Sequence, residues 1–435
     1  MKITIIGTGY VGLTSGTCFA EVGHDVICVD HDQAKVDTLL QGQIPIYEPK
    51  LAELVKKNVD AGRLNFTTST RQGVEFGDAI FIAVPTPPQP DGSVDLSFIE
   101  RVSREIADCL SPELGHRVIV DKSTVPVKTG DKVEQTIARY APAGSDFSVA
   151  SNPEFLREGS AVDDLLNPDR VVFGSNSTQA LSVLREIYQP FNAPMIETDI
   201  NSSELIKHAA NSFLALKISY INAISAICEK SDANVEEVAK GIGLDHRIGS
   251  AFLNAGLGYG GSCFPKDIKA FIAIAEELGQ PFDLLKEVER INERQLEKFL
   301  EKIKEKLWVL KDKKIALWGL AFKSNTDDVR ESIAIKLAKE LLAQGASVHA
   351  YDPKALDTAQ KFGGLSGDIH YYDEPYTLLE QADALVIATE WQEFTNLDFP
   401  KVKQSLRTPL IFDGRNLLDP AMMANLGFEY ISIGR

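Results

Sequence analysis

The chain has 435 residues, 44% of them hydrophobic, with a net charge of −17 and five scattered cysteines. That much apolar content fills more than one core, so two or three domains are expected. The acidic balance excludes nonspecific nucleic-acid and anionic-membrane binding, and the absence of C-x-x-C spacing excludes a disulfide framework and a structural zinc, so no metal is expected.

No run of 18 apolar residues occurs, and residues 2–6 open into a short apolar strand instead of a signal peptide, so a soluble cytoplasmic protein is expected. Gly7-Thr-Gly-Tyr-Val-Gly12 follows that strand and precedes a helical stretch that runs to Gly23. The G-x-G-x-x-G fingerprint therefore has the strand-to-helix setting it needs. Gly7 makes the turn, Gly9 lets a pyrophosphate approach the backbone, and Gly12 lets helix pack on strand; Tyr10 and Val11 lead the helix whose N-terminus receives the anion. The next strand, Asp25–Val29, ends at Asp30, placed to bond a ribose 2′-hydroxyl and to repel a 2′-phosphate. The expected cofactor is NAD, not NADP, with Lys35 a nearby helix cation.

Further strands are expected at Leu64–Thr68, Ala79–Val84, Arg117–Asp121 and Phe147–Ala150, separated by helical stretches. Repeated βαβ units predict a doubly wound parallel sheet with ligands at the carboxyl ends of its strands. Those ends carry two stiff polar turns, Pro85-Thr-Pro-Pro88 and Lys122-Ser-Thr-Val-Pro126, which offer Thr86, Ser123 and Thr124 as hydrogen-bonding groups or as ordinary turn residues. Ser151-Asn-Pro-Glu-Phe-Leu-Arg-Glu-Gly159 follows, with Glu154 and Glu158 four residues apart. On one helical face the two would be neighbours, able to hold a water for hydrolysis or to form a solvated pair on a first helical turn.

From Ser202 to Ser231 helical periodicity runs without proline or glycine, through Leu205, Ile206, Phe213, Leu216, Ile221 and Ile227. Such a helix spans about 45 Å, enough to link domains and to pair with a symmetry mate. Lys207 and Asn211 stand four apart on it, suited respectively to a base or cation and to an amide donor for an oxyanion. Residues 235–307 stay helical except for Asn254-Ala-Gly-Leu-Gly-Tyr-Gly-Gly-Ser-Cys-Phe-Pro-Lys-Asp267. Gly256, Gly258, Gly260 and Gly261 would let the backbone close on a ligand. Cys263 falls just ahead of a helix start marked by Pro265, where the helix dipole and Lys266 favour a nucleophilic thiolate. Asp267, one turn on, could orient a water or a base.

A second nucleotide-type fold is expected from Lys314 onward, with a strand and turn in Lys314-Ile-Ala-Leu-Trp-Gly-Leu-Ala-Phe-Lys323, a helix over 330–343, and strands at Ser347–Tyr351, Ala384–Ala388 and Leu410–Asp413. It lacks G-x-G-x-x-G, so a different ligand is expected; Lys323, Arg330 and Arg415 lie at or beyond strand ends where cations meet phosphates. The fold class is thus α/β, two Rossmann-like doubly wound domains joined by a long central helix and a small all-α domain. The expected boundaries are 1–198 for the NAD-binding domain, 199–307 for the helical connector and dimerisation domain carrying the cysteine loop, and 308–435 for the second Rossmann-like domain.

The fingerprint, Lys-Ser-Thr-Val-Pro, Asn-Pro-Glu-Phe-Leu-Arg-Glu-Gly, Lys207-x-x-x-Asn211, Gly-Tyr-Gly-Gly-Ser-Cys-Phe-Pro-Lys-Asp and Gly-Leu-Ala-Phe-Lys together resemble the UDP-glucose/GDP-mannose dehydrogenase family over essentially the whole chain. The resemblance implies that Cys263 is a covalent nucleophile, that Lys207 and Asp267 handle protons or order water, and that Asn211 stabilises an oxyanion. It further implies that Thr124 and Glu154 position the lytic water and that Glu158 and Arg330 contact NAD. Phe155, Leu156, Asn254 through Tyr259 and Gly260, Phe322, Lys323 and Arg415 would hold a UDP-sugar, and Arg247 would reach across from the partner of a homodimer. The implied activity is four-electron oxidation of UDP-glucose at C6 to UDP-glucuronate, a precursor for polysaccharides, through a thiohemiacetal and a thioester.

The same chemistry on a UDP-N-acetylhexosamine or GDP-mannose stays open, because no physical rule reads a sugar's C2 substituent from sequence. A two-electron dehydrogenase would leave Cys263 without a task. A non-catalytic NAD-binding regulatory protein would be expected to have lost Cys263, Lys207 or Asp267, and all three are present.

Overall fold

The computed structural model describes residues 1–435. They divide into two units, residues 1–210 with 269–280 and residues 211–268 with 281–435.

The first unit is built on eight strands: β1 (Lys2–Ile6), β2 (Asp25–Val29), β3 (Leu64–Thr67), β4 (Ala79–Ile82), β5 (Arg117–Asp121), β6 (Phe147–Ser151), β7 (Val171–Gly174) and β8 (Met195–Thr198). Their order in the sheet is β3-β2-β1-β4-β5-β6-β7-β8. Pairing is parallel from β3 through β6; β7 meets β6 antiparallel at Ser151 and Gly174, and β8 runs parallel to β7. Alternate residues of the central strands serve opposite faces. Ile3, Ile5, Phe81, Val118 and Val120 join one core with Leu13 and Phe19 of the Tyr10–Glu21 helix. Ile6, Ile80, Ile82 and Ile119 join the other with Ile99, Val102 and Ile106 of the Ser97–Cys109 helix. A sheet covered on both faces explains why these strands read as unbroken apolar runs.

Chain direction across the sheet reverses between β1 and β4, and Ile6 pairs with both Val29 and Ile82. Gly7, Asp30 and Ala83 consequently stand side by side just past the strand ends, the switch point where doubly wound sheets bind ligands.

The second unit carries β9 (Lys314–Trp318), β10 (Ser347–Tyr351), β11 (Ile369–Tyr371), β12 (Ala384–Ile387), β13 (Leu410–Asp413) and β14 (Glu429–Ile431), all parallel in the order β11-β10-β9-β12-β13-β14. One core runs from this sheet into helices: Phe299, Leu300 and Ile303 of the Asp283–Leu307 helix and Ile221 and Cys228 of the Ile200–Ser231 helix pack in the same cluster as Trp318 and Phe412.

The Ile200–Ser231 helix has 32 residues and is apolar and long enough, by composition alone, to cross a membrane. Its buried polar side chains are those of a helix packed on protein along part of its surface. In the first unit, Glu204 accepts from the backbone N–H groups of Lys128 and Gly130, both at 2.7 Å. In the second, Ser219 donates to Val288 O at 2.8 Å and Asn222 accepts from Gly256 N at 2.9 Å.

Candidate active site

In the first unit the turn after β1 is shaped by steric necessity. Gly7 has φ +105°, and a Cβ there would lie 2.3 Å from Ala83 O; one on Gly12 would lie 1.9 Å from Gly7 O. Gly9 is different, since a Cβ built on it meets nothing within 4 Å, leaving open space against the start of the Tyr10–Glu21 helix. Asp30 is buried beside this turn and accepts from Thr8 N at 2.9 Å, Thr8 Oγ1 at 2.6 Å and Asp32 N at 3.0 Å. Burial pushes its carboxyl up, but those donors and Lys35, 3.8 Å away, outweigh it and hold the group below its ordinary range. A charged acceptor, open glycine backbone and a helix N-terminus with Tyr10 and Val11 at its head fit a dinucleotide.

Thr86 is buried in the turn after β4 and Thr124 half-buried in the turn after β5. Ser123 ties the two turns, donating to Val84 O at 2.9 Å and accepting from Val84 N at 3.1 Å.

Residues 152–157 are irregular and Gly159 has φ +84°, so Glu154 and Glu158 do not share a helical face as the spacing suggested. Pro153 removes a donor in this stretch, and the next helix begins only at Ala161. The two carboxylates are both buried but serve different surroundings. Glu154 accepts from Lys207 Nζ at 2.9 Å and from Leu156 N at 2.7 Å. Two cations stand over the Phe155 ring, Arg170 at 3.8 Å and Lys207 at 5.4 Å from its centroid. The Lys207–Glu154 pair is almost fully buried, so removal of either partner would strand a charge at a cost of about 3–5 kcal/mol.

Near this pair is Lys122, the first residue of the Lys-Ser-Thr-Val-Pro motif, to which that motif assigns no role. Lys122 Nζ is buried and donates to Asn152 Oδ1 at 2.9 Å and Tyr188 Oη at 3.3 Å. Burial pulls its ammonium down to about 8, Lys207 acts in the same sense and Glu154 opposes them. Asn152 donates to Val172 O at 2.8 Å, which anchors the start of the glutamate loop to β7. No periodicity marks Lys122 or Asn152, because their partners are distant in sequence.

In the second unit Cys263 is solvent-exposed and immediately precedes the Phe264–Glu277 helix, its carbonyl accepting from Asp267 N at 2.8 Å. The other four cysteines are buried. Asp267 is buried between two donors, Asn211 Nδ2 at 2.6 Å and Lys266 Nζ at 2.7 Å. Asn211 thus keeps one amide N–H for another acceptor. Asn211 follows Lys207 by one turn of the same helix.

The glycines ahead of Cys263 also answer to the packing of their own unit. A Cβ on Gly258 would lie 2.6 Å from Asn292 Oδ1, on Gly260 2.3 Å from Glu331 O, and on Gly261 2.6 Å from the Phe322 ring. The absent side chains let the loop press against its own unit. Asn292 clamps it through Tyr259 N at 2.8 Å and Tyr259 O at 3.0 Å. Tyr259 turns its ring onto Phe264, edge-on at 5.8 Å, and its hydroxyl is buried, whereas Asn254 is exposed.

Arg415, just past β13, gathers the rest of this region. Its guanidinium donates to Ala388 O at 2.8 Å, Gly258 O at 3.2 Å and Phe322 O at 3.3 Å and lies 3.2 Å from Glu390. Gly258, Phe322 and Arg415 are therefore together, with Lys323 Nζ 5.7 Å from the Phe322 ring. Arg330 and Arg247 each have an exposed guanidinium paired with the aspartate two residues before it, Asp328 and Asp245, at 2.6 Å.

Residues 1–192, 201–294 and 316–420 match, in turn, the NAD binding, central and UDP binding domains of the UDP-glucose/GDP-mannose dehydrogenase family. A UDP-glucose 6-dehydrogenase of Rhizobium meliloti (strain 1021) is 48% identical over 442 residues, covering 100% of both chains. The UDP-glucose 6-dehydrogenase TuaD of Bacillus subtilis (strain 168) is 47% identical over 434 residues, covering 100% of this chain and 93% of the relative. Among solved structures, a UDP-glucose dehydrogenase from the hyperthermophilic archaeon Pyrobaculum islandicum superposes with a TM-score of 0.91 at 39% identity, covering 99% of this chain and 96% of that one. Three matched domains, full-length likeness and a switch-point site fitted to a dinucleotide agree: the chain belongs to the UDP-glucose/GDP-mannose dehydrogenase family of NAD-dependent oxidoreductases.

Proposed function

We propose that the chain oxidises UDP-glucose at C6 to UDP-glucuronate in two hydride transfers, with Cys263 as the covalent nucleophile. The observation that carries this reading is an exposed thiol at the head of the Phe264–Glu277 helix with Asp267, one turn on, buried between Asn211 and Lys266. A helix N-terminus favours thiolate, and a buried carboxylate held by two donors is placed to manage a proton or a water. NAD+, when bound, accepts one hydride in each oxidation.

Lys207 and Asp267 handle the proton that leaves the C6 hydroxyl as the aldehyde forms. Cys263 Sγ then adds to C6, making the C–S bond and a thiohemiacetal, whose developing oxyanion receives the remaining N–H of Asn211. Loss of the second hydride and the hydroxyl proton leaves a thioester. Water ordered by Glu154 and Thr124 attacks that carbonyl and expels the thiolate, which releases the acid. In the binding roles, Glu158 and Arg330 serve the cofactor together with Gly7, Gly9, Asp30, Lys35 and Thr86. Phe155, Leu156, Asn254, Tyr259, Gly260, Phe322, Lys323 and Arg415 serve the UDP-sugar.

The enzyme works in the cytoplasm as a homodimer paired through the Ile200–Ser231 helix, and Arg247 reaches from one subunit to the UDP-sugar held by the other. Phe213, Tyr220 and Ile227 support this pairing, since they recur at a spacing of seven and are 60%, 52% and 60% exposed. Phe213→Glu with Ile227→Glu is expected to give monomers in sedimentation, and an unchanged dimer would move the interface elsewhere.

The deciding measurement is NADH formed per mole of limiting UDP-glucose, with UDP-N-acetylglucosamine and GDP-mannose in parallel. Two equivalents from UDP-glucose alone are expected. One equivalent would remove the thioester, and two from another sugar would replace the substrate. Cys263→Ser is expected to lower steady-state acid formation by about 1,000-fold or more, since an alcohol is a far weaker nucleophile than a thiolate.

A further inference from the structure

Glu48 lies in the segment between the Gln33–Leu40 and Leu51–Asp60 helices, is buried, and has no part in the reaction described above. Its carboxylate is fully engaged. One oxygen accepts from the Tyr10 hydroxyl and from Gly159 N at 2.7 Å; the other accepts from Ala161 N at 2.7 Å. The Gly159 N–H is shared, since the Tyr10 hydroxyl oxygen lies 3.0 Å from it. Two residues past Glu48, Lys50 grips Asp163 at 2.7 Å, so this short segment holds the start of the Ala161–Leu166 helix at two points.

Tyr10 is one of the three non-glycine residues inside the glycine fingerprint, and Gly159 closes the glutamate loop. Glu48 therefore bolts the far end of that loop directly to the dinucleotide turn, with Glu158 as the residue next to the bolt. The near end is held by other means, through Asn152 with Lys122 and Val172 and through Glu154 with Lys207. The loop has two independent anchors, one beside each glutamate.

We propose that Glu48 is a positioning residue that sets Glu158 against the dinucleotide turn, so that its loss weakens NAD+ binding while sparing the sugar side of the loop. The proposal rests on the assignment of Glu158 to the cofactor and of Glu154 to the lytic water. A neutral amide at position 48 keeps one acceptor but turns an N–H toward Gly159 or Ala161, donor against donor, without changing the side chain's size.

The test uses the full-length chain with Glu48→Gln and, as the milder change at a half-buried position, Tyr10→Phe. For Glu48→Gln the KM for NAD+ is expected to rise about tenfold, with that for UDP-glucose within about twofold; Tyr10→Phe should move in the same direction by about threefold. Calorimetric titration with NAD+ alone should show the same loss of affinity. It requires no sugar, so it separates failure of this proposal from failure of the UDP-glucose assignment. A purely structural role for Glu48 would lower the melting temperature and kcat and leave the KM for NAD+ unchanged. That result, or equal rises in both KM values, would overturn the proposal.

Discussion

In the first unit the turn after β1 begins at Gly7 with φ +105°, and in the second the turn after β9 begins at Gly319 with φ +97°. Both glycine N–H groups donate at 2.8 Å to the last carbonyl of the neighbouring strand, Val29 and Tyr351 respectively. The residue after each of those carbonyls is an aspartate, Asp30 or Asp352, that accepts from the backbone of the turn. Beyond this shared frame the two diverge. A helix starts at once after Gly9 in the first unit, and Asp30 has acceptor capacity left for a ribose. In the second, Asp352 is saturated by Leu320 N, Ala321 N, Lys354 N, Ala355 N and Trp391 Nε1. Thr389 fills the place beside Gly319, and the helix after the turn begins only at Ile333. One backbone device serves as a ligand cradle in one unit and as a structural joint in the other. The residues around the glycine decide which.

The contrast is sharpest for a single added methyl group. Gly319→Ala would place Cβ 2.4 Å from Thr389 at a left-handed φ, so a loss of roughly 3–5 kcal/mol is expected. The three tryptophans all lie in the second unit, so denaturant unfolding followed by their fluorescence reads that unit alone. An unshifted midpoint would show that the joint is slack. Asp30→Ala tests the cradle. NAD+ affinity should fall about 10- to 100-fold, with the tryptophan-monitored midpoint unmoved. Gly9→Ala, which meets open space, should alter stability by less than about 0.5 kcal/mol while raising the KM for NAD+ several-fold. An unaffected KM would mean that no ligand approaches that glycine.

The smallest effect concerns pH and belongs to the second unit. Burial pulls the His349 imidazole down to about 4, with Lys314 and His370 acting in the same sense and Asp368 against them. The unfolded histidine gains its proton near pH 6.5 and the folded one only near 4, so stability is lost as pH falls through that window. After allowance for partial exposure, the loss should be on the order of 1 kcal/mol. A His349→Phe variant whose midpoint stays equally steep over that range would remove His349 as the source.

Much of this frame was legible in the residues. β1, β2, β4 and β5 could be read because strands buried on both faces are unbroken apolar runs. β8, β11 and β14 could not, being short edge strands whose exposed side chains interrupt any such run. In the site, glycine and aspartate spacing revealed the dinucleotide turn, and Cys263 with its helix start was local enough to see. The packing need of the glycine loop was not legible, since Asn292, Glu331 and Phe322, the groups its glycines avoid, are remote in sequence. Glu48 and Lys122 were missed on the same ground. A buried charge is recognisable only by its partners, and theirs are brought by the sheet.

The uneven placement of the cysteines makes the enzyme, in labelling terms, a monothiol. Cys263 faces solvent, while Cys18 and Cys28 are sealed in the first unit's core, where burial pushes both thiols up to about 12. Cys109 and Cys228 are buried as well. Under native conditions a maleimide or iodoacetamide should therefore take up one equivalent per chain, and the fraction left unlabelled counts blocked sites without any kinetic assay. Peroxide should reach the same sulfur first, so sulfenic acid at Cys263, the proposed nucleophile, is expected to silence the enzyme while its fold remains intact.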